Sequence, residues 1–186
     1  MRLGLFGGTF NPIHLGHLIL AECAREQLRL DQVWFIPTAT PPHKSSRGLL
    51  DGRTRLALIR LAVRGHPAFQ ARDLELRLSG VSYTLRTVRW IAQRYPNAKL
   101  FFLMGSDMLA VPWFGLQELR RLGTFAAALR PSGIRQRDIR HVRWIAMPQL
   151  GISSTMIRAR IARGQSILYM VPEPVAHAIA RRRLYQ

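Results

Sequence analysis

Runs of apolar residues alternate along this chain with stripes of apolar positions spaced three and four residues apart. The runs predict six strands, at residues 3–6, 33–36, 69–74, 100–104, 125–129 and 141–147. The stripes predict helices over residues 13–28, 53–64, 83–95, 153–163 and 174–183. Alternating strands and helices predict a parallel sheet wrapped by helices, because parallel neighbours need a crossover connection.

The chain is expected to form one domain over residues 1–186, without a repeat, a low-complexity segment or a dividing linker. The expected fold class is α/β, a Rossmann-like doubly wound parallel sheet of about five or six strands with helices on both faces. No apolar run reaches the roughly 18 residues of a membrane span, no cleavable signal pattern is present, and Cys23 is the only cysteine. We therefore expect a cytoplasmic protein without an intramolecular disulfide.

The stretch after the first strand carries the most informative chemistry. Gly7 and Gly8 stand between a strand and a helix, where glycine lets the backbone approach a ligand closely and take up a positive φ if needed. The helix start presents free N–H groups and the positive end of the helix dipole, which together favour a phosphate. His14 and His17 are three residues apart at that start, so both rings project from one face. The stretch predicts a phosphate site with two histidines aimed into it.

Other interpretations of these residues have less support. The glycine spacing fits neither the dinucleotide-binding nor the P-loop fingerprint. A zinc half-site of the His-x-x-His type lacks further ligands, since no H-E-x-x-H is present and Cys23 stands alone. Two ordinary surface histidines are the unspecific alternative.

Polar segments also follow other predicted strands at their carboxyl ends, where open α/β sheets bind ligands. These segments are residues 41–44 (PPHK), 105–107 (GSD) and 152–158 (ISSTMIR). Ser153 or Ser154 can cap the last-but-one helix while its free N–H groups face a phosphate. Arg158 lies four residues after Ser154, so the hydroxyl and the guanidinium share a face, and an arginine fork suits paired phosphate oxygens. A capped surface helix with a solvated arginine is the alternative.

As whole strings, these segments are similar to one superfamily. Residues 7–14 (GGTFNPIH) and 14–17 (HLGH) resemble the nucleotidyltransferases whose signature is a strand, a glycine turn and a His-x-Gly-His helix start. Within that superfamily the string is similar to the bacterial nicotinate-nucleotide adenylyltransferases. ISSTMIR resembles the second signature of the same family, and PPHK resembles its loop.

The resemblance implies transfer of the adenylyl group of ATP to nicotinate mononucleotide, which gives nicotinate adenine dinucleotide and pyrophosphate in NAD biosynthesis. The catalytic residues that it implies are His14, His17, Lys44 and Arg158. ATP would be held by Gly7, Gly8, Thr9, Phe10, His14, His17, Gly105, Ser153, Ser154 and Arg158. Nicotinate mononucleotide would be held by Thr9, Lys44, Tyr83, Thr84, Asp107 and Trp113. The histidines would donate to the phosphates as imidazolium, and Mg²⁺ would accompany ATP, held mainly by phosphates and water without protein ligands.

The chain departs from the family at three places. Arg86 stands where an acidic or amide residue is usual, and Phe114 replaces a more usual tyrosine. The loop between Asp107 and Trp113 is shorter than in the family, so Trp113 matches the family's pattern less closely than the two histidines do.

The formal net charge of +18 is due to arginine, because only Lys44 and Lys99 among the 28 basic residues are lysines. Polyphosphate substrates, a nucleic-acid surface and arginine-biased codon usage would each produce such an excess. The charge is dispersed rather than banded with aromatic residues, so no specific nucleic-acid partner is expected. Two alternatives stay open: a related adenylyltransferase for nicotinamide mononucleotide, and a basic RNA-binding protein on a synthetase-like fold. The sequence also leaves open whether the protein forms a homo-oligomer.

Overall fold

The structure, a computed structural model, describes residues 1–39, 48–77, 84–129 and 141–186. Within these residues the strands are β1 (Arg2–Gly8), β2 (Gln32–Pro37), β3 (Phe69–Ala71), β4 (Lys99–Gly105), β5 (Gly123–Ala128) and β6 (Val142–Ile145). The helices are α1 (Leu15–Gln27), α2 (Gly52–Ala62), α3 (Leu74–Arg77), α4 (Thr84–Arg94), α5 (Leu116–Leu122), α6 (Ser154–Ala162) and α7 (Glu173–Arg181), with a 3-10 helix at Ser106–Ala110.

The six strands form one parallel sheet in the order β3-β2-β1-β4-β5-β6. Along each central strand, successive side chains enter opposite cores: Phe101 and Leu103 face one, Phe102 and Met104 the other. Helices α1, α2, α6 and α7 bury their apolar residues in the first core, and α4 and α5 bury theirs in the second. The predicted α/β class, the parallel sheet and its two helical faces are confirmed.

Some local predictions were wrong. The third strand ends at Ala71 rather than residue 74, and the chain turns into α3, where buried Glu75 accepts from the Thr87 hydroxyl at 3.1 Å. The 3-10 helix and α5 were not predicted, because five and seven residues are too few to display a helical stripe. No helix among the described residues has the length and apolar composition needed to cross a membrane.

The strand order reverses between β1 and β4, and the sheet opens at that point. Backbone pairing of β1 with β2 continues to Gly8–Pro37, and pairing of β4 with β5 continues to Gly105–Ala128. Pairing between β1 and β4 stops at Leu5–Phe102. The two central strands therefore separate at their carboxyl ends, which creates the crevice where open α/β sheets bind ligands.

Candidate active site

Gly7 lies in the separated end of β1 and is exposed. Among the described residues other than its two chain neighbours, a Cβ built on Gly7 would meet no atom within 4 Å, whereas one on Gly8 would come within 3.0 Å of the Phe10 ring. Neither glycine has a positive φ; the left-handed residue of this turn is Phe10, at φ 47°. The glycines therefore do not supply unusual backbone angles here. Gly7 leaves open space at the crevice, and Gly8 makes room for Phe10.

The two predicted histidines are brought together directly after the turn. Their rings stack with centroids 3.7 Å apart and planes at 29°. His14 is buried and immediately precedes α1, and its backbone N–H donates to Nδ1 of His17 at 3.2 Å. The edges of Phe6 and Phe10 pack against the His17 ring, with centroids 5.8 and 5.0 Å away. These contacts hold His17 in one orientation.

That orientation determines which nitrogen of His17 can donate. Since Nδ1 accepts the His14 N–H, a neutral His17 ring carries its proton on Nε2. A second proton, on Nδ1, would face the same N–H and break this bond. Two stacked imidazolium rings would also repel each other. In this geometry Nε2 is the nitrogen of His17 that can donate to a ligand, and the imidazolium form expected in the complex stays a prediction.

The expectation of free N–H groups at the start of α1 needs correction. The Leu15 N–H donates to the Met170 carbonyl at 2.9 Å, and the His17 N–H donates to the His14 carbonyl at 3.0 Å. Gly16, between them, has a packing reason to be glycine, because a Cβ there would lie 3.1 Å from Nδ1 of His14. The first turn of α1 therefore offers fewer donors to a phosphate than its position suggests.

The start of α6 meets the glycine turn from the far end of the sequence. Ser153 caps the helix by accepting the Met156 N–H at 3.1 Å, as the sequence predicted for one of the two serines. The Ser154 hydroxyl donates to the Pro12 carbonyl at 2.8 Å, and Nη1 of Arg158 donates to the Asn11 carbonyl at 2.8 Å. The predicted shared face of Ser154 and Arg158 is present, and it lies against the turn.

Arg55 was not predicted as a site residue from the sequence. It is fully buried, and its guanidinium donates to the carbonyls of Leu50, Thr9 and Thr38 at 2.8, 2.7 and 2.6 Å. Burial lowers the pKa of the Arg55 guanidinium. Its spacing gave a signal, because Arg55 stands three and four residues before the buried Leu58 and Ile59, on the apolar stripe.

Four more predicted residues lie at the end of β4, beyond it and at the start of α4: Gly105, expected to hold ATP, and Thr84, Asp107 and Trp113, expected to hold the pyridine nucleotide. Gly105 ends β4, exposed Asp107 follows in the 3-10 helix, and Thr84 opens α4. Trp113 donates from Nε1 to the Met108 carbonyl at 2.9 Å and packs edge-on against Phe125. Phe114, in contrast, is 65% exposed. Lys44 and Tyr83 lie outside the described residues, so their predicted roles stay predictions.

A cavity of about 50 Å³ adjoins His14 on the side of β5 and opens to solvent. Its lining is mostly apolar and backbone, and comprises His14, Gly16, Leu20, Ala128, Leu129, Met147, Pro148, Gln149, Leu150 and Ile152. Gln149 donates to the Leu129 carbonyl at 3.1 Å, which joins two sides of the pocket. Apart from His14, none of these residues was predicted as a site residue, although Gly16 and Ile152 belong to the HLGH and ISSTMIR strings.

The described residues contain no group of three or more His, Cys, Asp or Glu side chains that could hold a metal ion. The donors gathered at the turn are imidazole, hydroxyl and guanidinium groups, whereas Mg²⁺ prefers carboxylate, phosphate and water oxygens. This donor set suits the anionic phosphates of a metal–nucleotide complex better than it suits the metal itself.

Comparison with known proteins defines first the class and then the family. A family model described as cytidylyltransferase-like matches residues 5–160, so the chain belongs to this class of nucleotidyltransferases. A probable nicotinate-nucleotide adenylyltransferase of Shouchella clausii is 43% identical over 186 residues, 99% of this chain and 96% of that protein. The nicotinate-nucleotide adenylyltransferase of Bacillus subtilis is 36% identical over 187 residues, covering 100% of this chain and 98% of that protein. Within the class, the chain belongs to the nicotinate-nucleotide adenylyltransferase family.

Solved structures confirm the fold independently. The Plasmodium falciparum nicotinic acid mononucleotide adenylyltransferase complexed with NaAD superposes with a TM-score of 0.84 at 18% sequence identity, covering 99% of this chain and 97% of that one. A putative nicotinate-nucleotide adenylyltransferase from Vibrio parahaemolyticus superposes with a TM-score of 0.74 at 22% identity, covering 99% and 94%. At these identities the likeness concerns the fold alone.

Proposed function

We propose that this enzyme transfers the adenylyl group of ATP to nicotinate mononucleotide, with release of pyrophosphate. The observation that carries the proposal is the meeting of both signatures at one crevice: the His14–His17 stack and the Ser154–Arg158 face both adjoin the glycine turn. The names and full-length similarity of the relatives supply the substrate class.

The proposed reaction is an in-line displacement at phosphorus. An oxygen of the mononucleotide's 5′-phosphate forms a bond to the α-phosphorus of ATP, and the bond from that phosphorus to the bridging α–β oxygen breaks. Pyrophosphate leaves with the electron pair, so no protein nucleophile is needed. The enzyme contributes positioning and stabilisation of the charge that develops on the phosphate oxygens.

His17 is proposed as a donor to the reacting phosphate through Nε2–H. Its Nδ1 is already held by the His14 N–H at 3.2 Å, and three aromatic rings fix its plane, so donation requires no reorganisation. Preorganised donors of this kind are the largest single contribution in many phosphoryl and acyl transfers.

Arg158 and the start of α6 are proposed to hold the leaving pyrophosphate. Nη1 and Nη2 of Arg158 each make one contact among the described residues, to the Asn11 carbonyl at 2.8 Å and the Thr155 hydroxyl at 3.4 Å. A guanidinium has five N–H groups, so it can keep these contacts and still donate to phosphate. The N–H groups of Ser154 and Thr155 precede the first i→i−4 bond of α6, from Ile157 to Ser153, and can join it. Lys44 is proposed as an additional cation.

Three further assignments complete the proposal. The open cavity beside His14 is proposed to receive the adenine base of ATP, because its lining is mostly apolar and backbone. Mg²⁺, bound by the phosphates of ATP and water, would offset their negative charge, and Asp107 is proposed to accept from a ribose hydroxyl. ATP and nicotinate mononucleotide are the proposed partners, while a homo-oligomer and a cytoplasmic location stay predictions from the sequence.

The test is pyrophosphate release with ATP and each of three acceptors: nicotinate mononucleotide, nicotinamide mononucleotide and phosphopantetheine. Helix-start N–H groups near Tyr83 and Thr84 would receive a carboxylate at both oxygens, whereas a carboxamide turns its NH₂ toward donors. Such an unsatisfied contact costs about 1–3 kcal/mol, so the acid should be preferred by roughly 10–100-fold in kcat/KM. Equal use of acid and amide would refute acid selectivity but leave adenylyl transfer standing. If pyrophosphate were released with none of the three acceptors, the proposed function itself would be refuted.

A further inference from the structure

Asn11 joins the glycine turn to three distant parts of the chain. Its side chain is buried; Nδ2 donates to the Gly48 carbonyl at 2.9 Å, and Oδ1 accepts the Leu50 N–H at 3.2 Å. Oδ1 also accepts the hydroxyl of Tyr185 at 2.9 Å, and the backbone carbonyl of Asn11 accepts Nη1 of Arg158 at 2.8 Å. The position of this one residue therefore affects where the guanidinium of Arg158 lies.

Tyr185 follows α7 and reaches Asn11 from the side opposite Gly48. Its hydroxyl donates to the Asn11 side chain, and Asn11 in turn accepts Arg158 at its backbone carbonyl, so Tyr185 is linked to Arg158 through Asn11. Burial raises the pKa of the Tyr185 hydroxyl, against the lowering influence of the nearby Arg158 and Arg55 charges. The hydroxyl is therefore protonated at neutral pH and remains a donor to Oδ1.

The Tyr185 hydroxyl and the Leu50 N–H fix the Asn11 amide between them. Both donate to the same oxygen, while the Gly48 carbonyl accepts from Nδ2, so a flipped amide would turn its NH₂ toward the Leu50 N–H and its oxygen toward the Gly48 carbonyl. Removing the hydroxyl leaves the fold's other contacts to Asn11 in place but frees one side of the amide. The turn can then shift together with the Arg158 guanidinium that its carbonyl holds.

We propose that Tyr185 is a positioning residue of the active site, which holds Arg158 in place through Asn11. The expected change in kcat rests on the proposed function. Tyr185→Phe should lower kcat by about three- to tenfold, which corresponds to the typical net worth of one hydrogen bond, and should leave KM for ATP within about twofold. A residue that only stabilised the fold would not change kcat when assayed well below the melting temperature.

The matched control is Tyr95→Phe. Tyr95 is also half-buried, but it packs edge-on against Trp34 in the core on the opposite face of the sheet, so the kcat of Tyr95→Phe should equal that of the wild type.

The second test is a double-mutant cycle with Arg158→Lys. If Tyr185 acts through Arg158, adding Tyr185→Phe to the Arg158→Lys variant should lower kcat by less than a further twofold.

Hydrogen–deuterium exchange provides a readout that needs no catalysis. In Tyr185→Phe, the peptide covering residues 9–18 should exchange several-fold faster than in the wild type and in Tyr95→Phe. Wild-type kcat together with wild-type exchange, or full additivity with Arg158→Lys, would overturn the positioning role. If the wild-type enzyme released no pyrophosphate, the proposed function would fall, and the exchange experiment alone would decide the role of Tyr185.

Discussion

Replacing Arg55 with methionine tests whether the buried guanidinium of this residue anchors the segments around the crevice. Methionine keeps most of the stem's volume but removes the guanidinium, which donates to the carbonyls of Leu50, Thr9 and Thr38 at 2.6–2.8 Å. Those carbonyls belong to the segments that follow β1 and β2 and to the residue before the cap of α2. One side chain thus ties together three segments around the crevice.

The expected loss of stability follows from two opposing contributions. Breaking three hydrogen bonds from a charged donor costs about 1.5–3 kcal/mol each, or roughly 5–9 kcal/mol in all. Removing the buried charge recovers its desolvation penalty, which amounts to several kcal/mol. We expect a net loss of about 2–4 kcal/mol, and a fall in Tm of about 4–16 °C for a chain of this length.

The assay is urea unfolding followed by circular dichroism, with Arg53→Met as the matched control. Arg53 is on the same helix but exposed, so its replacement should change the free energy of unfolding by less than about 0.5 kcal/mol. If Arg55→Met does not yield a soluble protein, Arg55→Lys retains the charge without the planar fork and should recover only part of the stability. Equal stability of the two methionine variants would show that Arg55 does not anchor these segments.

Three further predictions concern catalysis and are measured by steady-state pyrophosphate release. His17→Ala should lower kcat by about 10²–10³-fold with little change in KM for ATP, because a preorganised donor is lost; a nearly unchanged kcat would remove His17 from the mechanism. Arg158→Lys should weaken activity although the charge is retained, since a lysine cannot donate to the Asn11 carbonyl and grip a phosphate in the same way. Wild-type kcat and ATP affinity in that variant would contradict bidentate phosphate holding. Gly7→Ala should leave Tm unchanged, because a Cβ there meets no atom within 4 Å in the described part of the chain beyond its two neighbours, yet raise KM for substrate about tenfold or more through overpacking against the ligand. Wild-type KM would mean that no substrate comes close to Gly7.

Much of this enzyme was determined by short-range sequence pattern. The strands are buried on both faces, so they stand out as apolar runs such as residues 100–104, and the helices between them force a parallel sheet. The strings around His14–His17 and Ser153–Arg158 also carry their chemistry locally, since each combines donors with a helix start. Fold class and family could therefore be predicted without coordinates, and so could the two segments that the structure brings together at the crevice.

The tertiary structure decided how those segments are held and what remains available to a substrate. Arg55 donates to Thr9 across 46 positions, and Arg158 to Asn11 across 147, so no local pattern specifies either pair. For the same reason the sequence did not reveal that the Met170 carbonyl accepts the Leu15 N–H, or that β1 and β4 separate after Leu5. A buried donor or acceptor must find a partner wherever the packed chain provides one. The partner is therefore chosen by how the elements pack against one another, and only the tertiary structure contains that information.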